Sequence, residues 1–204
     1  MNGLYVIIDP EHCRGRDPLW VAEQALLGGC AALQLRAKAL PDRRLLELAR
    51  VLAQRCSEAD VPFWLNDRVD LALLAGARGV HLGQEDLPLA DARALAPGCL
   101  LGLSTHSLAQ ALAAEQLGAD LIGFGPIFET RSKLRPDAIV GLAALSEVCG
   151  RVHCPVVAIG GITPAAATEV ARSGADYAAV IGAVCDADEP QAAARALHEA
   201  LLRG

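Results

Sequence analysis

The chain has 204 residues and a net charge of −6, with 18 Lys and Arg against 24 Asp and Glu. Hydrophobic residues make up 53% of it and aromatic ones 3%, so Leu, Val, Ile and Ala must fill any core. The acidic balance argues against general nucleic-acid binding, which rests on neutralising phosphates, and leaves a local cationic pocket open.

At the N-terminus, Met1 to Asp9 has no basic n-region, and its apolar run is too short for a signal peptide. No run approaches the roughly 20 apolar residues of a membrane span. The seven cysteines, Cys13, Cys30, Cys56, Cys99, Cys149, Cys154 and Cys185, form no Cys-x-x-Cys and have no His at zinc-finger spacing. That usage fits reduced thiols in a cytoplasmic protein better than a disulfide framework. No membrane partner is expected, and both a monomer and a homo-oligomer are compatible with the composition.

Short apolar runs alternate with longer amphipathic segments. The runs are Leu4–Ile8, Ala31–Leu35, Pro62–Leu65, Gly79–Leu82, Leu100–Leu103, Leu121–Phe124, Val156–Ile159 and Tyr177–Ile181. Continuous apolar runs of this length suggest strands buried on both faces, as in parallel sheets. Between them, residues 42–57 place Leu45, Leu48, Ala49 and Leu52 on one face of a helix, and residues 108–117, 165–173 and 191–202 read as further helices. Gly28-Gly29, Gly76, Gly118 and Gly174 each follow the last apolar turn of a helix and precede a strand, the place of a left-handed C-terminal cap. The recurrence predicts eight β/α units and a single α/β domain over residues 1–204, a compact (β/α)8 TIM barrel, with an open doubly wound sheet as the rival.

Polar residues close these runs, where parallel barrels do their chemistry. Alternation along Leu33-Gln34-Leu35-Arg36-Ala37-Lys38 points Gln34, Arg36 and Lys38 to one side, and an anionic ligand would relieve the cost of burying them. Asn66-Asp67 follows the third run and Asp86 the fourth; two carboxylates on adjacent strand ends suit one hard cation such as Mg²⁺, unless Asn66 or Asp67 is a helix N-cap. His81 reads as a packed or hydrogen-bonded histidine. Of Ser104, Thr105 and Ser107, one hydroxyl is expected to cap the next helix and another to face a ligand; His106 is either an acid/base or a residue at the helix start. Thr130, Ser132 and Lys133 suit a phosphate or diphosphate, Arg131 reads as exposed, and Asp9 is an N-cap candidate with no chemical role. Gly160-Gly161 and Gly182 follow the last two runs, where barrel loops commonly build a phosphate site, and Thr163-Pro164 reads as an N-cap before a first-turn proline.

Taken in order, Gln34-Leu35-Arg36-Ala37-Lys38, Asn66-Asp67-Arg68-Val69-Asp70, Gly79 to Asp86, Ser104-Thr105-His106, Gly123 to Phe128 and Ala158 to Ile162 resemble the thiamine phosphate synthase family over essentially the whole chain. The resemblance implies a transferase that joins hydroxymethylpyrimidine diphosphate to hydroxyethylthiazole phosphate, small phosphorylated substrates, with Mg²⁺ as cofactor. It implies pyrimidine diphosphate binding by Gln34, Leu35, Arg36, Ala37, Lys38, Asn66, Ser104 and Lys133, with Arg36, Lys38, Ser104 and Lys133 acting on the leaving group. Asp67 and Asp86 would hold the metal. Thr130, Arg131, Ser132, Gly161, Ile181 and Gly182 would hold the thiazole phosphate. Two positions depart from the family pattern: Ser132 stands where Thr is usual, and Ile181-Gly182 stands where Val-Ser is common, which removes a hydroxyl. Thiazole tautomerases are similar, with a proposed acid/base His at the position of His106, but tend to lack the metal and diphosphate residues present here. A non-catalytic thiamine- or phosphate-binding barrel is the third alternative.

Overall fold

The computed structural model describes residues 3–130 and 138–204. The strands are β1 (Gly3–Ile8), β2 (Ala32–Leu35), β3 (Phe63–Asn66), β4 (Gly79–Leu82), β5 (Leu100–Thr105), β6 (Leu121–Phe124), β7 (Val156–Ile159) and β8 (Tyr177–Val180). They form a closed parallel barrel in sequence order, sealed where β1 pairs with β8 from Gly3–Tyr177 to Val6–Val180. This is the predicted (β/α)8 architecture, and the open sheet is excluded by that last pairing. Among the described residues the helices are α1 (Pro18–Leu27), α2 (Asp42–Glu58), α3 (Val69–Ala75), α4 (Leu89–Leu95), α5 (Leu108–Gln116), α6 (Gly141–Cys149), α7 (Pro164–Arg172), α8 (Gly182–Cys185) and α9 (Pro190–Leu202). None is long and apolar enough to cross a membrane.

Two boundaries change the reading of the rim. β5 runs on to Thr105, so Ser104 lies within the strand, paired with Gly123, and not after it. Asn66 is likewise the last residue of β3. Two short elements, a 3₁₀ turn at Pro10–His12 and α8, carry no amphipathic period from which they could have been foreseen.

Alternation along each strand divides the core in two. Leu4, Val6 and Ile8 of β1 and Leu33 and Leu35 of β2 face the helices and are fully buried with their apolar stripes. In α2, for instance, Leu45, Ala49, Leu52 and Cys56 form the buried stripe. Tyr5, Ile7, Ala32, Trp64, Leu121, Val157 and Ala179 point the other way and fill the barrel. Strand glycines make room for the large rings: a Cβ at Gly79 would lie 2.5 Å from the Trp64 ring, and one at Gly102 would lie 2.5 Å from His81 Nδ1.

Leu52 is 0% exposed between the barrel and its neighbouring helices. Leu52→Ala is expected to cost about 2–5 kcal/mol, seen as a fall in Tm of roughly 5–15 °C by calorimetry.

Candidate active site

The carboxyl ends of the strands surround a cavity of about 420 Å³. Its deep wall is apolar, with Ile7, Val157, Ile159 and Ala179, and its polar lining includes Gln34, Arg36, Asn66, His81, Ser104 and Thr130. Gln34, only 3% exposed, donates from Nε2 to the Tyr5 hydroxyl at 2.9 Å, and burial pushes that phenol well above its ordinary pKa. Leu35 and Ala37 lie on the opposite, helix-facing side, so their side chains are not brought to the cavity.

Arg36 is held from two directions. Its backbone N–H donates to Ile8 O at 2.9 Å, extending the β1–β2 ladder, and its guanidinium pairs with the Asp9 carboxylate. Asp9 is 1% exposed. Its Oδ1 accepts the Glu11 N–H at 3.1 Å, and its carbonyl accepts the His12 N–H at 2.9 Å and the Cys13 thiol. The expected N-cap is therefore present, but the same carboxylate also fixes the direction of Arg36. The pattern that could have revealed this is a lone acid ending the strand beside the one that ends in Arg36.

Lys38 reaches sideways along the rim to Asp67, with Nζ–Oδ2 at 3.0 Å. Asp67 caps no helix: α3 begins after Arg68, without a side-chain cap. It adopts φ +63°, uncommon for a non-glycine residue, and its N–H donates to His81 O at 2.9 Å. Burial, and then the neighbouring Asp86 carboxyl within hydrogen-bond reach, hold the Asp67 carboxyl above its ordinary pKa, with Lys38 opposing. Asp86 is fixed by the Gly83 N–H, 2.6 Å from its Oδ2. Two partly buried carboxyl groups facing one another form a hard oxygen donor set that fits a divalent cation such as Mg²⁺, completed by substrate and water. Among the described residues no cluster of three or more His, Cys, Asp or Glu forms a candidate metal site, so a closed zinc-type cage is absent there.

His81 is 6% exposed inside the barrel, with Nε2 2.9 Å from the Ser104 hydroxyl. Ser107 caps α5, accepting the Gln110 N–H at 3.2 Å, while Ser104 faces the cavity. His106 is tied by Nδ1 to Gly125 O at 2.6 Å, and its ring also lines the cavity.

The glycine-bearing loops after β7 and β8 form the far end. Ile127 and Phe128 donate to Ile159 O and Gly160 O at 2.9 and 3.1 Å, so the chain leaving β6 lies flat on these glycines. A Cβ at Gly161, where φ is +66°, would come within 2.3 Å of Glu129 O. The glycine is thus required by packing as well as by any ligand. Thr163 precedes Pro164 as expected but makes no capping hydrogen bond; it lines the cavity with Thr130, Gly161, Ile181 and Gly182. Arg131, Ser132 and Lys133 lie outside the described residues. His12 and Asp186 are additional polar residues lining the cavity that the strand-end pattern did not single out, and Asp9, expected only as an N-cap, stands beside it through Arg36.

A family model described as thiamine monophosphate synthase matches residues 4–184. The chain is 46% identical to the thiamine-phosphate synthase of Chloroflexus aurantiacus, over 96% of this chain and 90% of that one. It is 48% identical to that of Anaeromyxobacter dehalogenans, over 100% and 90%. Among solved structures, the thiamine phosphate pyrophosphorylase from Pyrococcus furiosus superposes with a TM-score of 0.91 at 39% identity, over 98% of this chain and 96% of that one.

The raised Asp67 carboxyl has a signed consequence. An acid whose pKa is higher in the folded state binds its proton more tightly there, so stability falls as pH rises from the unfolded value through the folded one. At neutral pH the ionised group therefore costs stability. Asp67→Asn is expected to raise the urea midpoint at pH 7, and the gain should shrink as pH falls through the raised folded-state value and be gone below about 4. A less stable variant at pH 7 would contradict the electrostatic account.

Proposed function

The chain belongs to the thiamine monophosphate synthase family, and on that premise we propose that its barrel mouth joins hydroxymethylpyrimidine diphosphate to hydroxyethylthiazole phosphate. The pyrimidine methylene loses its bond to diphosphate oxygen, the thiazole nitrogen bonds to that methylene, and diphosphate leaves with the electron pair of the broken bond. The observation that carries the reading is the rim arrangement of Arg36, Lys38, Asp67 and Asp86 beside an apolar cavity. A tautomerase has no use for this set, and the curated relatives quoted above carry the synthase name.

In this reading Gln34 and Asn66 orient the pyrimidine, while Arg36, Lys38 and Ser104 meet the diphosphate, together with Lys133. Cations and hydroxyls already held where charge grows on the departing group lower the barrier without reorganising during the reaction. Asp67 and Asp86 would hold Mg²⁺, which when bound neutralises diphosphate charge and so eases its departure. The apolar wall excludes water from the reactive methylene, and holding both substrates in one cavity supplies proximity. The aminopyrimidine can share positive charge left on its methylene, so the path is dissociative and no protein nucleophile is required. The second phosphate lies at the glycine loops after β7 and β8, with Thr130 and Ser132. All seven cysteines fall among the described residues and are unpaired, which suits a reducing compartment such as the cytoplasm.

The test is incubation with both substrates and Mg²⁺, with thiamine phosphate and diphosphate measured as products. No product under conditions where a known synthase turns over would remove the reading. Asp86→Ala is expected to lower kcat at least about 100-fold and to raise the Mg²⁺ concentration needed for half-maximal rate. Asp9→Asn, which leaves Arg36 without its anionic partner, is expected to raise KM for the pyrimidine diphosphate about tenfold in the same assay.

A further inference from the structure

Asp186 follows α8 directly, and its backbone N–H donates to Gly182 O at 2.9 Å. Its side chain folds back over that glycine, so that a Cβ at position 182 would lie 2.8 Å from Asp186 Oδ2. The missing side chain at 182 is what admits the carboxylate, and both residues line the cavity alongside Gly161 and His12. The segment carrying Asp186 is firmly built. Arg16 donates to Ala187 O at 2.7 Å and to Cys185 O at 2.5 Å, and Arg14 donates to Asp186 O at 2.9 Å. Arg14 also pairs with the Asp188 carboxylate at 2.6 Å, while Arg16 is turned to backbone carbonyls. Among the described residues, the ion-pairing partner within 4 Å of the Asp186 carboxylate itself is His12, with Nδ1 3.7 Å away, and the Asp186 side chain remains 48% exposed.

A carboxylate beside the glycine loops opposes a dianion bound there and can accept a hydrogen bond from a hydroxyl. We infer that Asp186, admitted by Gly182, is a specificity-determining residue for the acceptor: it weakens the hold on the thiazole phosphate and relaxes the preference for the phosphorylated acceptor over the free hydroxyethylthiazole alcohol. The inference rests on the proposed placement of the second phosphate at the β7 and β8 ends. Its sign follows from charge: removing one negative group within several ångströms of the phosphate at a half-exposed site is worth about three- to tenfold in affinity.

The experiment compares wild type, D186N and D186E with the thiazole phosphate and the unphosphorylated alcohol as acceptors. D186N is expected to lower KM for the phosphate about three- to tenfold and to raise it for the alcohol, leaving KM for the pyrimidine diphosphate in place. D186E keeps the charge and is expected to keep the wild-type ratio of kcat/KM between the two acceptors. Calorimetric titration of thiazole phosphate into wild type and D186N reads the same change without turnover. An unchanged ratio, or a shift toward the alcohol in D186N, overturns the inference, as does equal calorimetric affinity. Failure of wild type to form thiamine phosphate removes the proposed function instead, and the calorimetric comparison still decides the role of Asp186.

Discussion

Closure of the sheet by β1 against β8 is the constraint on which the rest of the molecule depends. A parallel ladder sealed on itself sends every strand out at the same rim, so residues far apart in sequence become neighbours there. Asp9 meets Arg36 because β1 and β2 are adjacent and in register from Tyr5–Ala32 to Ile8–Leu35. Loop residues after β1 grasp the segment after β8 for the same reason, Arg16 spanning from Cys13 O to Ala187 O. Closure also creates an interior that must be filled, and Trp64 and His81 fill it only because Gly79 and Gly102 stand beside them.

Charge at the rim is arranged in pairs. Arg36 is matched to Asp9 and Lys38 to Asp67, so neither cation depends on a ligand to hold its position. Such pre-positioning avoids ordering long side chains during the reaction. The exception is the approach of Asp67 to Asp86, where burial and a second carboxyl both act against ionisation. A strained arrangement of like groups at a barrel mouth is a familiar trade of stability for function. The far end of the cavity is organised differently, by backbone: glycines, a chain segment lying across them, and Thr163 with no capping duty.

Much of this was legible in the residue order. The apolar runs, the glycines after the helices and the polar residues closing each run implied a barrel with a phosphate-binding rim, since burial on both faces and helix termination are local matters of side-chain type and backbone freedom. Gln34, Arg36, Asn66, Ser104 and Gly161 do meet around one cavity. The reading was weaker where one residue has two uses. Asp9 has the sequence position of a cap and is one, yet its second oxygen serves Arg36 across a strand pair. Thr163 has the sequence position of a cap and does not act as one. Leu35 and Ala37 belong to the same motif as Gln34 and Arg36, but pleating turns them to the helices.

By itself the sequence determined the class of fold, the side of each strand that faces inward and the chemical types available at the rim, because these follow from period and composition. Only the tertiary structure decided which carboxylate serves which cation, how near Asp67 comes to Asp86, and that Asp186 occupies the space a side chain at Gly182 would claim. Those are distances between residues joined by closure and not by neighbouring positions in the chain, and electrostatic interactions are set by distance and burial, which no local pattern encodes.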